Sequence, residues 1–204
     1  MGRQLTGNVD MTIKTKITPL GAGNKVFYAV GQVLFESGVP GTYSLEVLTK
    51  VFCDIWISGG GGGGSNGAGG TGATLHIQGI LLPGSYVLVV GNFGDGAGAY
   101  VRNNNGKPGG VSSITGPSCK ITANGGLGRN GRRNGGGGGT VGALSYQLAQ
   151  TTNTLFQSQE GVSYALSYID NTSSGYGAGG IAQGNDEGAG YPGKTGYIKI
   201  TFIK

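Results

Sequence analysis

Charge is scarce in this chain of 204 residues: Asp, Glu, Lys and Arg together make up 11%, less than half of the roughly 25% of an ordinary soluble domain. Histidine and tryptophan occur once each, at His76 and Trp56, and cysteine only at Cys53 and Cys119. One His and two distant Cys cannot supply a zinc-ligand set. A lone pair of Cys is not a disulfide framework, and both sit in strand-like contexts, so buried free thiols are expected, with a single bridge left open. Proline is rare, with 6 residues, and no strict Gly-X-Y period exists, which excludes collagen. No apolar run reaches the roughly 18 residues of a membrane span. Met1 to Leu20 lacks the apolar run of a signal peptide. The expectation is a chain made in the cytoplasm without a signal peptide, reaching the outside only by lysis or another such route.

Catalytic patterns are missing as well. Asp186 and Glu187 are adjacent, so on a strand they would face opposite sides, which suits no glycosidase pair. Gly193-Lys194-Thr195 ends like a phosphate loop, but no helix-forming segment follows it. Asp95, between Gly94 and Gly96, reads as a turn residue. His76 lies in an apolar alternating segment with no evident partner and reads as structural. The expectation is a protein that is not an enzyme and needs no cofactor or metal.

What the chain has is glycine, 47 residues, about three times ordinary usage. Disorder does not explain it, because apolar strand-like segments such as Val51–Ile57 and Tyr86–Val90 recur throughout. In the first, Val51, Cys53, Ile55 and Ile57 share one face, and Phe52, Asp54 and Trp56 the other. It runs directly into six consecutive glycines, Gly59 to Gly64, and a further tract to Gly72. Residues 74 to 90 read as a hairpin turning at Pro83-Gly84. Further strands are expected at 11–17, 26–30, 33–35, 43–47, 111–114, 119–122, 162–169 and 197–203.

Glycines spaced by three recur: Gly91 and Gly94; Gly125, Gly128 and Gly131; Gly190, Gly193 and Gly196. A threefold left-handed helix repeats every three residues, has no internal hydrogen bonds, and must pair its backbone groups elsewhere. Several such helices can pair with each other only where no side chain intervenes. The expected fold is therefore all-β, with strands combined with a packed bundle of polyglycine II helices and little or no α-helix. Residues 1–40 read as an N-terminal attachment segment. Residues 41–204 read as the glycine-rich domain, interrupted at about 141–169 by a glycine-poor insertion, either an extra hairpin or a distal loop.

The strand running into Gly59–Gly64, the Pro-Gly turn before Val90, the late tract Gly175 to Gly196 and the closing strand from Tyr197 resemble the glycine-rich domains of phage and prophage tail-fibre tip proteins. The resemblance covers roughly residues 40 to 204; the stretch 141–169 departs from the pattern. It implies a rigid frame of polyglycine II helices whose connecting loops touch a bacterial surface receptor, an outer-membrane protein or a surface glycan. It also implies a place in the virion and other tail-fibre proteins as partners, with homo-oligomerisation left open.

Candidate contact residues follow from loop position and chemistry. Asn103, Asn104 and Asn105, and Arg129, Arg132 and Arg133, sit in polar, loop-like runs. Tyr100, Tyr176 and Tyr191 stand among glycines, where a ring can stack on a sugar or fill a protein pocket. No acidic residue lies between Asp95 and Glu160, whereas Arg102, Lys107, Lys120, Arg129, Arg132 and Arg133 do. Such a basic stretch suits a phosphate-bearing partner, or merely keeps a charge-poor chain in solution. Two other functions fit the composition: a structural virion part such as a connector or assembly adaptor, and, less well, an ice-binding or nucleic-acid-binding protein.

Overall fold

A computed structural model describes residues 28–65, 67–97, 105–129, 144–148, 153–158, 166–181 and 190–204. The strands are β1 (Val33–Ser37), β2 (Gly41–Val47), β3 (Val51–Ser58), β4 (Thr74–Leu81), β5 (Gly84–Val90), β6 (Ser112–Gly116), β7 (Cys119–Ala123), β8 (Leu144–Leu148), β9 (Asn153–Gln157) and β10 (Tyr197–Phe202). They form two five-stranded antiparallel sheets, one ordered β1-β10-β3-β4-β9 and the other β2-β5-β6-β7-β8. No α-helix occurs among the described residues.

The period-two pattern decides which side of each strand is buried. In β3, Val51, Cys53, Ile55 and Ile57 are all at most 2% exposed, while Phe52, Asp54 and Trp56 are half-buried on the outer face. Ile77 of β4 and Ile198 and Ile200 of β10 meet Leu88, Ile114 and Ile121 of the second sheet in one apolar core. Both cysteines lie in that core as free thiols.

Beyond the ends of the strands the chain continues as glycine-rich tracts. Residues 59–64 leave β3 and 67–73 enter β4; 91–97 leave β5 and 105–110 lead to β6; 124–129 leave β7; 190–196 enter β10; and 177–181 make the seventh tract. The tract 59–64 lies at the centre, wholly buried. Its N–H groups donate in strict rotation. Gly59 and Gly62 donate to Ala73 and Gly70, Gly60 and Gly63 to Gly110 and Lys107, and Gly61 and Gly64 to Lys194 and Tyr191, at 2.8–2.9 Å. Its carbonyls rotate in the same way. Gly60 and Gly63 accept from Gly126 and Arg129, Gly61 and Gly64 from Gly94 and Ala97, and Gly62 from Gly180. Every third residue thus meets the same neighbour, and six tracts surround one.

Those six also close on each other. Going round, 67–73 bonds to 124–129, that to 105–110, then 91–97, then 190–196, then 177–181, and back to 67–73. The register makes 67–73, 105–110 and 190–196 antiparallel to the centre and the other three parallel, in alternation. Buried backbone groups require partners, and here the tracts supply them to each other. An added Cβ at any residue from Gly59 to Gly64 would lie under 3.0 Å from a backbone carbonyl oxygen of a neighbouring tract. The close approach therefore excludes every other residue type.

Four expectations are corrected. Residues 74–90 do not form a hairpin: β4 pairs with β3 and β9, and β5 with β2 and β6. Pro83-Gly84 is instead a crossing between sheets, with Gly84 at φ 137° against the ring of Pro117. Of the strand expected at 162–169, residues 166–169 form no strand, and 162–165 lie outside the described residues. Nor is the glycine-poor stretch an extra hairpin. Its strands β8 and β9 extend opposite sheets, beside β7 and β4. The strand expected at 11–17 lies outside the described residues, and residues 28–30 are not strand.

Candidate functional site

The glycine array gives the molecule two distinct poles. Residue 58 adjoins the sheets, and Gly63 and Gly64 mark the far pole. Around them lie Lys107 and Tyr191, whose carbonyls accept from Gly63 and Gly64, and Arg129 and Ala97, whose amides donate to the same two glycines. Ile181 joins this level by accepting from the Tyr191 amide. Ala97, Arg129 and Ile181 are each followed by a segment outside the described residues, 98–104, 130–143 and 182–189. Tyr100, Asn103, Asn104, Arg132 and Arg133 therefore lie outside the described residues, in two of these segments.

Asn105 and Arg129 come together at the far pole, where the Gly106 amide donates to the Arg129 carbonyl at 2.9 Å. Asn105 is exposed. The guanidinium of Arg129 lies across Gly67, where an added Cβ would stand 2.7 Å from Nε; that buried Nε has no hydrogen-bond partner among the described residues. Beside it Lys107 and Asp95 form an exposed ion pair at 3.1 Å. Tyr191 is 52% exposed at the same pole.

Tyr176 lies elsewhere. It stacks on Tyr197 at 4.6 Å and 14°, packs against Gly38, and begins the tract 177–181 at its sheet-side end. Its neighbour Tyr197 donates to Glu36 at 2.6 Å. That hydrogen bond, with Lys199 nearby, holds the Glu36 carboxyl below its ordinary value. Burial, then the same hydrogen bond, pushes the Tyr197 phenol upward.

A second cluster was not visible in the sequence. Across β3 and β4, Trp56 faces His76 and Asp54 faces Gln78. The His76 ring stacks on Trp56 at 3.9 Å and 17°. Its Nε2 bonds both Asp54 oxygens, at 2.8 and 3.0 Å, and the Gln78 amide donates to Oδ1 at 3.2 Å. His76 thus has partners, contrary to expectation. The signal was the β3–β4 register, hidden by assigning residues 74–81 to a hairpin with β5. The neighbouring thiol, Cys53, points into the core instead, and burial raises it to about 12. Among the described residues no group of three metal-ligating side chains gathers.

No protein-family model matches the chain, and no curated protein matches it significantly.

Proposed function

We propose that the chain is the receptor-binding tip of a phage or prophage tail fibre, attaching the particle to a bacterial surface molecule. In this reading the seven tracts are polyglycine II helices. One observation carries it: along residues 59–64 the hydrogen-bond partner changes with every residue and returns at every third, the repeat of that helix. A frame held by backbone alone leaves the joining segments free to vary without disturbing the core, which is what a recognition surface requires. The excess of Arg and Lys between Asp95 and Glu160 favours an anionic envelope component or an acidic protein loop.

The test is binding of the labelled protein to bacterial cells, with Arg132→Ala and Arg133→Ala combined. The expected outcome is loss of cell binding with slow amide exchange of residues 59–64 retained. Binding only to other particle proteins would instead make the chain a connector. Absence of binding to any envelope would overturn the receptor-binding role.

A further inference from the structure

A sheet edge is a row of unpaired backbone groups, and proteins usually blunt it with short length, bulges, lysine or proline. Three of the four edges follow that rule. β1 and β9 have five residues each and a register shift, and β8 has five residues. β2 does not. It runs seven residues, Gly41–Val47, in unbroken register with β5, contains no Lys or Pro, and has no strand on its other side among the described residues.

We propose that β2 pairs antiparallel with β2 of a second copy of this chain, about a two-fold axis at Ser44. The sequence is self-complementary in that register. Ser44 faces Ser44, Thr42 faces Glu46, and Tyr43 faces Leu45. Alternation keeps Thr42, Ser44 and Glu46 on the exposed side and Tyr43, Leu45 and Val47 on the buried side, so both pleats match. Glu46, the only charged side chain of β2, meets a hydroxyl. Its Oε2 already accepts from Ser85, leaving Oε1 for Thr42 of the second copy. Moving the axis two residues towards the C-terminus would set Glu46 against Glu46, which disfavours that slip. Tyr43 against Leu45 is a favourable aromatic–aliphatic pair, and the two copies would share one ten-stranded sheet under closed two-fold symmetry. A single strand pair buries less than the roughly 1,200 Å² of a stable interface, so the dimer forms in a concentration-dependent way.

Sedimentation of the full chain between about 1 μM and about 1 mM tests this. The weight-average mass should rise from 20.4 kDa towards twice that value. Ser44→Lys and Ser44→Glu, each placing like charges together at the axis, should both remain monomeric, and their equimolar mixture should dimerise again. Ser44 is exposed, so both variants keep the thermal midpoint of the parent, which separates lost pairing from lost folding. A parent that stays at 20.4 kDa throughout would overturn the proposal. So would dimers that persist in both single variants, a mixture that fails to associate, or slow exchange of β2 edge amides in the monomer, which would mean that another part of the chain covers the edge.

Discussion

Cys53 and Cys119 point into one core from opposite sheets, and burial raises both thiols from an ordinary 9.0 to about 12. A thiol in the unfolded chain releases its proton above pH 9, whereas in the fold it keeps it. Between those values the unfolded chain binds fewer protons, so stability falls as pH rises, by about 1.4 kcal/mol per pH unit for each thiol. Denaturant unfolding between pH 9 and 11 should show this slope. In the variant carrying both Cys53→Ala and Cys119→Ala it should be shallower by up to about 2.7 kcal/mol per unit. Tyr86 and Tyr197, also raised by burial, keep a residual slope above pH 10. The burial of Cys53 was legible from alternation in β3, and that of Cys119 from the strand-like segment 119–122. The partners of His76 were not, because a cross-strand neighbour is set by pairing rather than by spacing along the chain.

Among the elements, the strand 51–58 and the tract after it show how far local pattern reaches. Alternation located β3 and its buried face, and six glycines in a row announced a close backbone approach. What they approach is six separate segments, up to about 130 positions distant in sequence, in line with the non-local pairing typical of all-β folds. At Gly61 an added Cβ would fall against the carbonyl oxygen of Ala178, a backbone atom that no rotamer change can move aside. Gly61→Ala should therefore cost about 3 kcal/mol or more in chemical denaturation, at the severe end of overpacking. Gly31→Ala makes the comparison. Gly31 has φ 84° but no described residue within 4 Å of an added Cβ, so its cost is only the roughly 1–2 kcal/mol of a left-handed backbone. Pro83-Gly84 misled the sequence reading because a turn signal specifies a change of direction, not whether the chain returns beside the same strand or passes to another sheet.

For the molecule as a whole, sheets and glycine array are one structure, since the strands that build the core become the tracts. The last segment joins both. Residues 190–196 fill one of the six places around the centre, and β10 lies between β1 and β3. Ending the chain at residue 189 would leave Gly61 and Gly64 with unpaired buried amides and split the first sheet. Each such buried orphan costs about 1–3 kcal/mol, which a domain stable by roughly 5–15 kcal/mol cannot absorb together with a lost strand. The truncated chain should fail to fold, seen as loss of the cooperative thermal transition, whereas the full chain should unfold in a single step. A separate, earlier transition for the glycine array would contradict this unity.

Composition and alternation alone determined that the chain is β-rich, that its glycines serve close packing rather than slack, and which face of β3 is buried. These follow from rules that act over two or three residues. Only the tertiary structure decided that β4 and β5 belong to different sheets, that 59–64 is the centre and six other tracts its ring, and that Asp54, Trp56 and His76 meet. Those are choices among partners, and a glycine tract with no side chains carries nothing by which one neighbour can be told from another until the strands at its ends have been paired.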